Sequence, residues 1–234
     1  MNPGRSRVEH HRCWSPRIVA AVLALLALSS IACHTFKPAG VAEPYRLEAV
    51  PSSRVLMKLV LSEPYATYVS RDMGHALADP QKYELGPALV ALTRAHFGRA
   101  FALVPNAAPG AVSVPWEYAA EPKVHFFDNI LSMDGPTQSI RIEVRARMRS
   151  RDDRALSEVW ARGEDTHSIG ALSVDVAETE KFLNDVLDAT VARLAMIAAH
   201  EVARDRAVAA GAPEEVPTDA PACVPHCGRV APQK

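Results

Sequence analysis

The chain has 234 residues, with 26 Lys and Arg against 27 Asp and Glu, a formal net charge of −1. That length suits one domain with flexible ends and is enough to bury an ordinary core. The balanced charge excludes the basic excess by which a protein recruits nucleic acid, so no nucleic-acid partner is expected.

The first segment is a leader. Arg5, Arg7, Arg12 and Arg17 precede eleven consecutive apolar residues, Ile18 to Leu28, and the small residues Ser29, Ser30 and Ala32 then lead into Cys33. A basic start, a short apolar run and a small-residue exit are the parts of a secretory signal. At about 1.5 Å per residue the run is too short to cross ~30 Å of hydrocarbon, which disfavours a permanent span. Ser30–Cys33, S-I-A-C, resembles a bacterial lipoprotein processing box, in which the cysteine becomes the acylated first residue. It departs from that pattern in having Ser30 where leucine is usual. Ordinary secretion with cleavage nearby and an uncleaved anchor are the alternatives. Residues 1–32 are read as the cleaved signal, 33–53 as lipidated cysteine and flexible tether, 54–208 as the domain, and 209–234 as a disordered Pro-rich tail. The mature chain is then 234 − 32 = 202 residues.

The tether reading rests on three prolines, one glycine and little periodicity between His34 and Ser53. Val55–Leu61, V-L-M-K-L-V-L, predicts a strand buried on both faces. Pro64 to Gln81 reads as a long irregular connection. A helix follows from Leu85 to Phe101, with Pro87 in its first turn and Leu85, Leu89, Leu92, His96 and Ala100 on one stripe. His96 is expected to be a packed, hydrogen-bonded side chain rather than a ligand. Val112–Tyr118 and Lys123–Phe127 are one broken strand or two, with Pro115 confining the first to an edge.

Ile140–Met148 is the clearest strand: Ile140, Ile142, Val144, Ala146 and Met148 alternate with Arg141, Glu143, Arg145 and Arg147. A polar turn at Ser150–Asp153 returns the chain along Leu156–Arg162. The outward face invites two readings. Arg141, Arg145 and Arg147 form an anion-binding stripe for lipid phosphates or an acidic partner, or they simply solvate a sheet face. From Val174 to Ala207 runs the longest helical pattern, capped by Asp175 or Ser173. Its length leaves the last turns, His200 to Arg206, free to project or to pair with another chain.

The sequence carries no recognisable catalytic signature. There is no nucleophile elbow, P-loop or dinucleotide fingerprint, and no cofactor is expected. His200-Glu201 begins a zinc-protease pattern, but Arg204 stands where the second histidine is needed. Cys223 and Cys227 flank His226 in the tail. A small-loop disulfide is the favoured reading, with a metal site or free thiols as alternatives.

The order of elements, a lipidated cysteine followed by strand, helix, hairpin strands and a long final helix, resembles the β-α-β-β-β-α envelope lipoproteins. That group includes the lipopolysaccharide-transport lipoprotein of the outer-membrane translocon. The resemblance lies in Val55–Leu61, Leu85–Phe101, Ile140–Met148, Leu156–Gly163 and Glu178–Ala199. It implies an α+β fold, a three- to four-stranded sheet with two helices on one face, and binding or scaffolding rather than catalysis. The expected protein is lipid-anchored on the periplasmic face of the outer membrane, an adaptor or assembly accessory for another envelope protein. A lipid or lipopolysaccharide binder and a secreted hydrolase are the alternatives.

Overall fold

The alternation at Ile140–Met148 builds the centre of the molecule. The five apolar residues are 0–1% exposed, and their strand carries a neighbour on each side. The computed structural model describes residues 34–42, 55–72, 81–105, 114–131, 137–168, 175–211 and 227–230. In chain order these form β1 (His34–Phe36), β2 (Leu56–Leu59), α1 (Glu63–Ala66), β3 (Val69–Asp72) and β4 (Gln81–Glu84). There follow α2 (Gly86–Ala100), β5 (Ala102–Val104), β6 (Tyr118–Leu131), β7 (Thr137–Ser150), β8 (Ala155–Ser168), α3 (Val176–Ala209) and β9 (Cys227–Val230).

The class is α+β, as expected, but the sheet is larger than three or four strands. Six strands run in the order β5-β2-β6-β7-β8-β9, and a second sheet has the order β1-β4-β3. Strand count and order also differ from the expected strand-helix-strand-strand-strand-helix, because β1, α1, β3, β4, β5 and β9 are added to β2, α2, β6, β7, β8 and α3. The extra strands are three or four residues each, added at edges or in stretches whose composition reads as loop. Three further expectations need correction. β2 is buried on alternate residues rather than on both faces. The stretch from Pro64 to Gln81 holds α1, β3 and the start of β4. Cys227–Val230, within the expected tail, pairs with β8 as an edge strand.

β6 is a single strand that contains Pro122. β2 pairs with it only at Tyr118, Ala119 and Ala120, so the proline's missing N–H falls just past the end of β2, on an open edge. A bulge between Val124 and Phe126 then shifts the register, after which Phe126 lies opposite outward Glu143 and Phe127 opposite buried Ile142.

The buried face of the sheet is covered by α3, which lies on β7 and β8, with α2 packed against α3. Gly163 shows how close α3 comes: a Cβ there would lie 1.9 Å from Thr190 Oγ1. On α2, Leu85, Leu89, Leu92, His96, Phe97 and Ala100 are all buried, so the helix is seated as its stripe predicts. On α3, Asp175 caps the first turn by accepting from the N–H groups of Ala177 (2.9 Å) and Glu178 (3.3 Å).

The reading of 33–53 as a flexible tether is corrected over His34–Ala42, while 43–53 lie outside the described residues. β1 pairs in parallel with β4, and Phe36 is fully buried against Tyr83, their rings 5.1 Å apart. One aromatic side chain with a stacking partner outweighs the extended character that the prolines lend. Beyond β1 the chain straps itself to α3. Lys37 N–H donates to Glu180 (2.7 Å), Gly40 and Val41 N–H donate to Asn184 Oδ1 (2.9 and 3.2 Å), and Asn184 Nδ2 donates back to the Val41 carbonyl (3.0 Å). Gly40 has φ +67°, and a Cβ there would lie 2.8 Å from Ala88 Cα, so the strap needs glycine at this point.

Candidate functional surface

The face of β6, β7 and β8 turned away from the helices is a broad regular surface. Register places its side chains in rows across the three strands: Glu121–Arg147–Glu158, Lys123–Arg145–Trp160, Phe126–Glu143–Arg162, Asp128–Arg141–Glu164 and Ile130–Ser139–Thr166. The first four rows carry five basic residues (Lys123, Arg141, Arg145, Arg147, Arg162) and five acidic ones (Glu121, Asp128, Glu143, Glu158, Glu164). Opposite charges directly across a ladder are mutually favourable.

The three arginines expected to form an anion-binding stripe do share this face, but each already faces a carboxylate. Arg141 Nε lies 2.8 Å from Glu164, Arg145 Nε 2.7 Å from Glu143 and Arg145 Nη1 3.6 Å from Glu158. Arg147 is the loosest, 3.9 Å from Glu158 with a side chain 67% exposed. An incoming phosphate would have to displace these carboxylates, which lowers the affinity such a stripe could offer. Glu158 is the hub. Burial works against its charge, but the hydrogen bond and charge of Lys123 and the charges of Arg145 and Arg147 outweigh it and hold its carboxyl below the usual range. Arg162 lies over the Phe126 ring, Cζ 5.3 Å from the centroid. The face is therefore nearly neutral, finely mixed in charge and studded with Phe126 and half-buried Trp160.

Under this sheet the polar chemistry is buried and structural. His96 on α2 meets Asp188 on α3, Nε2 to Oδ1 2.5 Å, both side chains fully buried. The packed-histidine expectation for His96 agrees with this geometry; Asp188 and Asn184 of α3 are both buried. Within His200–Arg206 one side of α3 stays packed on the domain, and the helix is exposed on all sides only from Arg206 onward. Glu201 and Val202 are buried, and Asp205 accepts from the Tyr118 hydroxyl (2.9 Å) and from Arg154 Nη2 (2.7 and 3.0 Å). Burial, and then the hydrogen bond to Asp205, pushes the Tyr118 hydroxyl up to about 12. Arg204, the residue that breaks the zinc-protease pattern, pairs with Glu201 at 2.7 Å.

A second polar group closes the opposite end of the sheet. Asn129 Nδ2 donates to Gln81 Oε1 (3.2 Å) and the Tyr83 hydroxyl (2.6 Å), Tyr83 donates to Gln81, and Gln138 Nε2 donates to Asn129 Oδ1 (2.9 Å). This network joins the small sheet to the large one. Sequence reading missed it because each member is an ordinary polar residue until the strands bring them together.

Cys33 and Cys223 lie outside the described residues, as does the leader with its apolar run. Cys227 opens β9, opposite Ala161. Among the described residues no group of three His, Cys, Asp or Glu side chains is arranged to hold a metal, and no helix is long and apolar enough to cross a membrane.

No protein-family model matches the chain, and no curated protein does. It is similar to solved structures at low identity. A Xanthomonas campestris protein of family DUF330 is 13% identical, with a TM-score of 0.45 over 74% of this chain and 98% of that one. A minor lipoprotein from Acinetobacter baumannii is 10% identical, with a TM-score of 0.36 over 67% and 96%. A Chlamydia trachomatis protein is 12% identical, with a TM-score of 0.38 over 66% and 97%.

Proposed function

We propose that this chain is an envelope lipoprotein, cleaved before Cys33 and acylated there, whose domain is a non-catalytic adaptor for another envelope component on the periplasmic side of the outer membrane. The observation that carries the reading is the leader: four arginines, the apolar run Ile18–Leu28 and a small-residue exit ending in Cys33. A single acyl chain holds a protein to a membrane marginally, whereas several make residence stable, so triacylation would fix the domain there. Anchoring raises the local concentration of a modest binding surface near its target. The mixed-charge face of β6–β8 suits that work, because finely interleaved charges select a complementary partner more than they add affinity.

The test is direct. Palmitate labels the wild-type protein, Cys33→Ala abolishes labelling and moves the domain to the soluble fraction, and density fractionation places the labelled protein with outer membranes. In-cell crosslinking from Lys123 captures a discrete envelope protein. Unchanged membrane association of Cys33→Ala defeats the lipoprotein reading, and a domain that crosslinks to nothing defeats the adaptor reading.

A further inference from the structure

We infer that the outward face of β6–β8 pairs with the same face of a second copy of this chain, about a two-fold axis running parallel to the strands above the gap between β7 and β8. Rotation about that axis sets β7 of one copy over β8 of the other and keeps every row at its own level. Arg147 then stands over Glu158 of the second copy, Glu143 over Arg162 and Arg141 over Glu164. In the remaining row Arg145 lies over the Trp160 ring. Each contact recurs on the other side of the axis, so all four rows are favourable. Neighbouring placements of the axis bring like charges together. One above β7 itself puts Arg147 on Arg147, and one between β6 and β7 puts Lys123 on Arg145.

A second copy suits this face because it brings both signs. A ligand of one sign has to break ion pairs already made, such as Arg141–Glu164 at 2.8 Å and Arg145–Glu143 at 2.7 Å. The rotated face breaks none: Arg141 and Arg147 keep the carboxylates they have and gain a second, closing rings of alternating charge. The side chains are accessible, from 11% exposed at Glu143 to 67% at Arg147, with Trp160 half-buried. Facing sheets pack about 10 Å apart with their strands within about 30°, an offset that long Arg and Glu side chains absorb.

Four rows at ~6.7 Å along three strands ~4.8 Å apart cover roughly 400 Å², half of what one partner gives to a standard interface. The pairing is therefore weak in dilute solution and grows where copies are crowded. A shared bilayer supplies the crowding; that step, unlike the pairing, rests on the lipoprotein reading. An axis along the strands also leaves both N-termini at the same end, so one membrane holds both copies.

The two β7–β8 turns lie side by side at the end of the axis, and Arg151 is exposed on that turn. The full-length chain, with Cys223 and Cys227 replaced by serine, carries Arg151→Cys and is treated in cells with a short bismaleimide. The expected result is a dimer band that requires Arg151→Cys. Arg141→Glu with Arg147→Glu lowers it several-fold, as does Glu158→Arg with Glu164→Arg. Coexpressing the two variants under different tags restores a band between them, because every introduced charge then meets its opposite across the axis. Each variant keeps the same like-charge contacts within its own sheet whether alone or mixed, so repaired folding cannot produce the restoration. No such band, a band that the variants leave undiminished, or one that mixing does not restore overturns the inference. Palmitate labelling tests the lipoprotein reading separately, and capture of a different protein from Lys123 tests the adaptor reading.

Discussion

Gly163 tests how α3 sits on the sheet. Alanine there would ordinarily strengthen a strand, since glycine costs roughly 0.5–1 kcal/mol in a strand interior. Here the added carbon would meet Thr190 Oγ1 at 1.9 Å and the Val186 carbonyl at 3.1 Å. Thr190 cannot turn away freely, because its hydroxyl is buried and donates to that same Val186 carbonyl at 2.6 Å. Either the hydrogen bond is given up inside the core or α3 lifts from β8, and overpacking of this kind costs roughly 1–3 kcal/mol. Set against the propensity gain, Gly163→Ala should lose about 1–2 kcal/mol, which for a chain of this size lowers Tm by roughly 2–8 °C. Urea and thermal unfolding of the purified protein, followed by far-UV circular dichroism, read this directly. Thr190→Ala removes the obstructing oxygen, so the double variant should be less destabilised than the two single losses added together. A Gly163→Ala protein as stable as the parent, or strict additivity in the cycle, refutes the close approach.

The His96–Asp188 pair predicts a similar asymmetry: His96→Leu leaves a carboxylate in a buried site without its imidazole and should cost roughly 3–5 kcal/mol, while His96→Leu with Asp188→Leu recovers much of it. Equal losses in the single and double variants would show that the pair is not coupled. Asn184→Ala removes three hydrogen bonds from the strap and should speed amide hydrogen exchange at Gly40 and Val41 several-fold; an unchanged rate means the strap is held by its other contacts. The Tyr118 hydroxyl, raised to about 12 in the folded protein from an ordinary value of 10, contributes stability that is complete below pH 10 and is lost as pH rises through 12. Tyr118→Phe should therefore flatten the fall in urea midpoint over that interval, though not abolish it, because burial also raises Tyr65 and Tyr68. An identical slope in the variant would exclude Tyr118 as the titrating group.

Long periodic elements were legible from sequence and short ones were not. α2, β7 and α3 each carry enough repeats for the apolar face to stand out. β3 and β4 have four residues apiece, and in β4 the inward positions are Gln81 and Tyr83, a polar and an aromatic residue that four positions of alternation cannot distinguish from loop. The strap was missed for a related reason: prolines and a glycine describe its backbone, while Phe36 and the partner groups on α3 decide where it goes. On α3 the apolar stripe predicts the helix but not that Asn184, Asp188, Glu201 and Asp205 are also buried. A helix pressed between a sheet, a second helix and a strap buries more than one stripe, and its polar residues are admitted where a partner awaits them. The outward arginines show the converse. Strand alternation placed them on one face, but their ion pairing depends on β6 and β8, whose register no pattern within β7 reveals.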